Sequence, residues 1–267
     1  MTSRSLRLLR TLPIAAACGV VALLAGCATT DESAARPDAA QLSGTIIVSA
    51  AASLTDAFTT IGDDFVEQHP EAELTFNFGS SGALATQIQQ GAPADVVAFA
   101  DTMPMTTLED ADLLATAPQI FARNRLVIVT EPGNPEGITG LADLADVGVV
   151  SLCVDTAPCG AFADQMLADA GVTVPGTSTS RGTDVRATLT AVTEGDAVAG
   201  IVYVTDAESV GDRVDTVDVP EAENVVASYP IAVVAATGNV ALADAFESYV
   251  LSDAGQAVLR RAGFLGP

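Results

Sequence analysis

The sequence contains no lysine, no tryptophan and a single histidine, His69, among its 267 residues. Without lysine, the chain cannot form a Schiff base through a lysine amine. His69 stands beside Pro70, and no nucleophile motif surrounds it, so we interpret it as a solvated residue at a helix end. We therefore expect no catalytic residue, and a serine-dependent enzyme of the cell envelope is the weaker alternative to a binding protein.

Positive charge is also scarce, because 11 basic residues, all arginine, face 34 acidic ones. Removal of residues 1–26 would discard three arginines and no acid, leaving eight arginines against 34 acids and a net charge of −26. Nucleic acids and anionic membrane surfaces bind proteins through basic patches. We therefore expect no nucleic-acid partner and no electrostatic attraction to lipid headgroups.

The N-terminus has the organisation of an export signal. Three arginines, Arg4, Arg7 and Arg10, precede an apolar run over residues 12–24 that is shorter than the roughly 20 residues of a membrane span. The run ends in Leu24-Ala25-Gly26-Cys27, which resembles the bacterial lipobox, in which the cysteine is lipidated and becomes the first residue. We predict a lipoprotein signal peptide over residues 1–26 and a lipid anchor on Cys27, with an ordinary signal peptide cleaved slightly later as the alternative.

Residues 27–44 lack apolar periodicity, and we predict a flexible tether there. The folded part, from Thr45 onward, holds one pair of cysteines, Cys153 and Cys159. In an exported protein, such a close pair forms a disulfide more often than a metal site.

Short β-branched runs alternate with helical patterns, which is typical of parallel α/β structure. We predict strands over Thr45–Ser49, Glu73–Phe78, Asp95–Ala100, Val147–Cys153 and Gly200–Val204, and helices over Ser53–Gln68, Gly82–Gln90, Ala161–Ala170, Val185–Glu194, Ala241–Val250 and Ser252–Ala262. Two apolar runs, Arg125–Thr130 and Pro230–Ala236, would carry the chain between two lobes and back. Residues 45–124 and 229–267 would form lobe 1, residues 125–228 would form lobe 2, and a cleft would separate them.

Four segments fall where a strand passes into a helix: residues 50–56, 79–82, 157–160 and 182–186. In the first of them, Ser53 precedes Asp56 by three residues, as in a capping box. A helix N-terminus presents unpaired N–H groups and positive potential, so four of them around one cleft would bind an anion. Arg181 and Arg186 could contact that anion, with salt bridges to neighbouring acids as an equal alternative.

Several of these segments carry a family resemblance. Ala50-Ala51-Ala52-Ser53-Leu54, Gly79-Ser80-Ser81-Gly82, Gly91-Ala92-Pro93-Ala94-Asp95-Val96 and Gly182-Thr183-Asp184-Val185-Arg186 resemble the periplasmic molybdate-binding proteins of ABC importers. The resemblance covers residues 45–265. It implies a type II periplasmic binding protein, expected to be a monomer, that captures molybdate and tungstate outside the cytoplasm and delivers them to a permease. Sulfate or another small oxyanion is the alternative ligand.

The family's cleft binds a tetrahedral dianion through neutral donors, and the resemblance implies the same here. Ser53 and Ser81 would donate from lobe 1, and from lobe 2 Cys159 and Val185 would donate backbone N–H groups and Tyr203 its hydroxyl. Position 159 often carries alanine in the family, but a backbone donor does not depend on the side chain. No cofactor is implied, and the metal would be bound as its oxyanion, without direct protein ligands.

Overall fold

The computed structural model describes residues 42–267, so the predicted signal peptide, Cys27 and most of the tether lie outside the described residues. The first strand begins at Ser43, two residues before the predicted start of the fold. The strands are β1 Ser43–Ala51, β2 Glu71–Gly79, β3 Val96–Ala98, β4 Gln119–Thr130, β5 Val150–Cys153, β6 Thr179–Gly182, β7 Ala199–Tyr203, β8 Asp215–Asp218 and β9 Val226–Val233. The α-helices are α1 Thr55–Gln68, α2 Ser81–Gln89, α3 Thr102–Glu109, α4 Pro158–Asp169, α5 Val185–Thr193, α6 Val204–Val210, α7 Val240–Leu251 and α8 Asp253–Arg261.

The strands form one sheet in the order β2-β1-β3-β9-β4-β7-β5-β6, with β8 beside β4. Strands β1, β2 and β3 are parallel, and so are β5, β6 and β7. We call these the first and second halves of the sheet. Between the halves run β9 and β4, which are antiparallel to their neighbours, so the sheet is parallel within each half and antiparallel at its centre.

Strand β4 belongs to both halves. Its residues 119–125 pair with β9, whereas residues 126–130 pair with β7. The partner therefore changes next to residue 125, where the lobe boundary is predicted, and the division into lobes itself stays a prediction.

The core is built mainly from aliphatic side chains. The few phenylalanines concentrate beneath the first half, where Phe58 lies 5.7 Å from Phe121 and 6.1 Å from Phe246, between ring centroids. Helix α7 packs on β1, and both α7 and α8 contact α1, so the two C-terminal helices return to the first half as predicted. Nowhere in residues 42–267 is a helix both long and apolar enough to span a membrane.

Candidate functional site

A small pocket opens where strands of both halves end, which is the usual position for ligands in open α/β sheets. Its empty volume, which includes solvent at its open mouth, is about 210 Å³. The pocket is lined by Ala51, Ala52, Ser53, Gly79, Ser80, Ser81, Ala100, Ala157, Pro158, Cys159, Asp184, Val185 and Tyr203. The lining includes all five residues that the sequence analysis predicted as ligands: Ser53, Ser81, Cys159, Val185 and Tyr203. The pocket is large enough for a ligand of only a few atoms.

Ser81 is the first residue of α2 and is 1% exposed. Its hydroxyl oxygen accepts a hydrogen bond from the Ala100 N–H at 3.0 Å. A serine hydroxyl has one hydrogen to donate, and this bond does not use it. Ser81 can therefore donate into the pocket while its oxygen accepts from Ala100. Sequence reasoning did not single out Ala100, although it is the last residue of the predicted strand Asp95–Ala100.

Ser53 occupies a short 3-10 turn, Ala52–Leu54, between β1 and α1. Its Oγ lies 2.9 Å from the Tyr229 hydroxyl and caps no backbone N–H, so the capping-box interpretation is wrong. Tyr229 is fully buried in β9 and lies 176 residues away in sequence. No local pattern reveals such a partner. If Tyr229 donates in this bond, the Ser53 hydrogen is left for the pocket.

The second half supplies two helix N-termini. Helix α5 begins at Val185, and the side chain of its N-cap Asp184 accepts a bond from the Ala187 N–H at 3.0 Å. Helix α4 begins at Pro158, so Cys159 is its second residue. The first N–H groups of an α-helix have no partner within the helix, which leaves those of Val185 and Cys159 free to donate. The Asp184 carboxylate also lines the pocket, but it is engaged by its own helix.

Tyr203 ends β7 and is 1% exposed, yet its hydroxyl has no hydrogen-bond partner of good geometry among residues 42–267, although the Tyr229 hydroxyl lies near it. An unpaired buried hydroxyl is uncommon and destabilises the fold. Burial, followed by the nearby Tyr229 and Asp206, raises the pKa of Tyr203 well above its ordinary value. The phenol therefore keeps its hydrogen and lines the pocket as an unused donor.

Neither candidate arginine lines the pocket. Arg181 pairs with Asp164 at 2.8 Å and donates to the Cys153 carbonyl at 2.7 Å. Arg186 pairs with Asp206 at 3.1 Å and also with Asp56. The structure thus favours the salt-bridge alternative. Over residues 42–267, no group of three or more His, Cys, Asp or Glu side chains could hold a metal ion.

The chain matches the family model of bacterial extracellular solute-binding proteins over residues 46–265. It belongs to that family. One relative of this solute-binding protein is the molybdate-binding protein of Mycobacterium tuberculosis, which is 41% identical over 93% of this chain and 95% of its own length. Another, a putative ABC transporter substrate-binding lipoprotein of Bacillus subtilis, is 30% identical over 91% of this chain and 93% of its own.

The fold is also similar to that of solved solute-binding proteins. The periplasmic molybdate-binding protein of Azotobacter vinelandii superposes with a TM-score of 0.74, covering 83% of this chain and 99% of that one at 19% identity. At that identity the likeness establishes the fold, which is that of a periplasmic solute-binding protein. The α/β architecture implied by the sequence motifs is confirmed, and this solute-binding protein is not an enzyme.

A disulfide borders the pocket of this solute-binding protein. The Sγ atoms of Cys153 and Cys159 lie 2.03 Å apart, so the bond closes the segment between β5 and the first turn of α4. Gly160 lies against this segment, since a Cβ there would be 2.0 Å from the Val154 carbonyl oxygen. The covalent ring therefore fixes the backbone from which the Cys159 N–H is presented.

Replacing both cysteines, Cys153→Ala with Cys159→Ala, is expected to lower the free energy of unfolding by about 2 kcal/mol, because a short covalent loop is lost. Chemical denaturation of parent and variant measures this. In the parent, peptide mapping without reductant should recover the two cysteines in one linked species. Two free thiols in protein purified from the cell envelope would contradict the prediction.

Proposed function

We propose that this solute-binding protein captures molybdate, and also tungstate, in the pocket and delivers it to the permease of an ABC importer. The observation that carries the proposal is the buried Tyr203 hydroxyl, an unused donor in a pocket that no cationic side chain from residues 42–267 lines. The choice of molybdate as the ligand is supported by the relatives named as molybdate-binding proteins. The choice of an ABC importer as the partner is supported by the relative named as an ABC transporter component.

Neutral donors suit this protein because long-range electrostatics oppose capture. A net charge near −26 repels an approaching dianion. At physiological salt, this repulsion is largely screened at separations greater than roughly 8–10 Å. At short range, each hydrogen bond to a charged acceptor contributes about 1.5–3 kcal/mol. Five donors, from Ser53, Ser81, Cys159, Val185 and Tyr203, can outweigh the desolvation of the ion.

The donor set also selects among oxyanions. The Ser81 oxygen already accepts from Ala100, and backbone N–H groups cannot accept at all. A protonated oxyanion, such as hydrogen phosphate, would bring an O–H group that the N–H groups of Cys159 and Val185 cannot accept, so it would use fewer of the five donors. We therefore expect fully deprotonated tetrahedral dianions to be preferred.

Titration of the purified protein with molybdate, tungstate, sulfate and phosphate tests the function. We expect one molybdate per chain, with a thermal shift equivalent to about 4 kcal/mol at a ligand concentration of a thousand times Kd. Phosphate should leave the unfolding temperature unchanged. If sulfate binds more tightly than molybdate, sulfate is the ligand of this pocket. If none of the four oxyanions stabilises the protein, the proposal is refuted.

We also propose that residues 45–124 with 229–267 and residues 125–228 act as two lobes of a monomer. Two observations support this division. The partner of β4 changes next to residue 125, and the pocket takes its lining from the elements on both sides.

Lipid attachment at Cys27 is the remaining part of the proposal. Its support is the segment Leu24-Ala25-Gly26-Cys27 and a relative that is itself named a lipoprotein. Two acyl chains hold a protein stably on a membrane, so the lipid would keep the capture site on the membrane that carries the importer, on its periplasmic or outer face.

Replacing Cys27 by serine is expected to move the protein from the membrane fraction into the soluble fraction and to abolish its labelling by an alkyne fatty acid. Cell fractionation and gel fluorescence measure the two effects. Cys18→Ser, within the predicted signal, is the matched control and should keep both the label and the membrane location. Label retained by the Cys27→Ser variant would place the lipid elsewhere.

A further inference from the structure

Asp206 is a buried acid that the five donors do not explain. It lies in the first turn of α6, three residues after Tyr203, and is 0% exposed. Neither carboxylate oxygen accepts a hydrogen bond of good geometry from residues 42–267. Burial of a carboxylate without such bonds destabilises a fold. Stability alone therefore does not account for an aspartate at this position.

The one cation beside Asp206 within residues 42–267 is Arg186, whose Nε lies 3.1 Å from its Oδ1. Arg186 follows Val185, a proposed donor, in the first turn of α5. The other two nitrogens of its guanidinium are also engaged, because Nη1 donates to Ser209 Oγ at 3.1 Å and Nη2 pairs with Asp56. The planar group is thus engaged through both Nη atoms, and its Nε faces Asp206 as an ion pair without a hydrogen bond of good geometry.

The pair with Asp56 joins the two halves of the sheet. Asp56 lies in α1, which follows β1, whereas Arg186 lies in α5, 130 residues further along the chain. Among the salt bridges of residues 42–267, this is the one that links the first half to the second. It therefore spans the space beside the pocket that the proposed function requires to be closed.

An exposed salt bridge by itself contributes little, because ordering two long side chains offsets most of its attraction. The Asp56 side chain is 60% exposed, but that of Arg186 is only 29% exposed and its Nε is fully buried against Asp206. With the guanidinium already ordered by Asp206, the pair with Asp56 forms at a smaller loss of side-chain freedom.

We propose that Asp206 is a positioning residue, which holds the Arg186 guanidinium in the orientation that reaches Asp56 and so keeps the two halves of the sheet together around the bound anion. This inference rests on the proposed function for its consequence, since a closed pocket binds the anion through both sets of donors. It goes beyond that function by assigning roles to three charged residues that do not touch the ligand.

The ionisation of Asp206 gives the proposal a pH dependence. Burial raises the pKa of Asp206 from its ordinary 3.8 to about 7, with Arg186 and the backbone N–H of Tyr203 opposing the rise and Asp56 and Asp184 adding to it. The hydroxyls of Tyr203 and Tyr229 also face this group, and both keep their hydrogens because burial raises their pKa values. Below pH 7, Asp206 takes up a proton and attracts Arg186 less strongly. Closure should therefore weaken as the pH falls.

The stability of the fold should follow the opposite trend. The folded state binds a proton on Asp206 between about pH 4 and 7 that the unfolded state does not bind. The contribution of this group to stability is thus fully present below its ordinary pKa and is lost as the pH rises through 7. Asp206→Asn should be at least as stable as the parent at pH 8, although it closes less firmly.

Titration with molybdate at pH 6 and pH 8, at constant ionic strength, tests the consequence. We expect the parent to bind about threefold more tightly at pH 8, and Asp206→Asn to lose this difference and bind about fivefold more weakly at pH 8. Asp206→Ala should bind more weakly still. Simple removal of a negative charge would instead strengthen the binding of an anion.

Glu194→Gln, which removes an acid from the exposed pair with Arg213, is the matched control and should keep the parental affinity.

The positioning itself is tested without any anion, through the nitrogen-attached Hε of Arg186 in an NMR spectrum of the full chain. We expect a slowly exchanging signal in the parent and in Asp56→Asn, and fast exchange in Asp206→Ala. The same signal in Asp206→Ala as in the parent, or parental binding by both Asp206 variants, would overturn the proposal. A parent that shows the slow signal but binds no oxyanion would support the positioning and refute the proposed function.

Discussion

Replacing Gly82 by alanine is expected to weaken molybdate binding about a hundredfold, equivalent to two hydrogen bonds to a charged acceptor of about 1.5 kcal/mol each. A Cβ at position 82 would lie 2.3 Å from the Thr156 carbonyl oxygen. Thr156 belongs to the segment closed by the Cys153–Cys159 disulfide, in the second half of the sheet. The added methyl group therefore forces apart two backbones, and neither is a flexible side chain that could turn away.

The separation acts on the donors of both halves. Gly82 follows Ser81 at the start of α2, and the disulfide-closed segment leads directly into Cys159. An anion in the variant can reach one set of donors at good distance but not both, and hydrogen bonds weaken steeply once their geometry is lost. Alanine is favourable in a helix, which offsets part of the strain at Thr156, so the variant should still fold without ligand.

Gly79→Ala is the matched control, because it changes the other glycine of the same Gly-Ser-Ser-Gly segment. A Cβ there would lie 3.8 Å from the Leu84 side chain, an ordinary van der Waals contact. Calorimetric titration and thermal unfolding of both variants measure the difference. Parental affinity in Gly82→Ala would show that the contact with Thr156 does not form in the liganded protein.

Tyr203→Phe is expected to lower the affinity for molybdate at least tenfold, because it removes one donor to a charged acceptor, worth about 1.5–3 kcal/mol. The same change should leave the stability without ligand unchanged or slightly higher. The hydroxyl is buried and has no partner among residues 42–267, so its removal ends a desolvation penalty instead of breaking a bond. Opposite effects on binding and on stability are typical of a residue retained for its ligand.

Tyr229→Phe provides the comparison, since it removes an equally buried hydroxyl that is already bonded to Ser53. This variant should lose about 1 kcal/mol of stability, the usual contribution of one internal hydrogen bond. Its affinity should fall less than that of Tyr203→Phe, because Ser53 keeps its own hydroxyl. If Tyr203→Phe binds molybdate like the parent and loses stability instead, Tyr203 is not a ligand.

Local sequence was sufficient to predict most of the elements around the pocket. Helix α5 begins at Val185, where the periodic pattern and the preceding Asp184 place it, and β1 and β2 contain their predicted ranges. Such features depend on neighbours within a few residues, which a single sequence displays. The segments at the ends of these strands were found for the same reason.

The remaining features depend on contacts between distant residues. The bond from Ser53 to Tyr229, the approach of Gly82 to Thr156 and the burial of Asp206 beside Arg186 all arise from packing between elements. In the sequence, strands β4 and β9 appear only as apolar runs. Apolar content does not determine whether neighbouring strands pair in parallel or antiparallel orientation. Asp206 illustrates the limit, because a carboxylate near a helix start is normally predicted to be solvated.

The division of the donors between the two halves has a consequence for unloading. The proposed donors Ser53 and Ser81 stand on one side, whereas Cys159, Val185 and Tyr203 stand on the other, and no cationic side chain from residues 42–267 lines the pocket. A few ångströms of separation would leave a dianion with roughly half of its hydrogen bonds, and water would take the vacated positions. The rate of departure would then be set by how often the halves part, so a membrane partner that pulls them apart could empty the site without any chemical step.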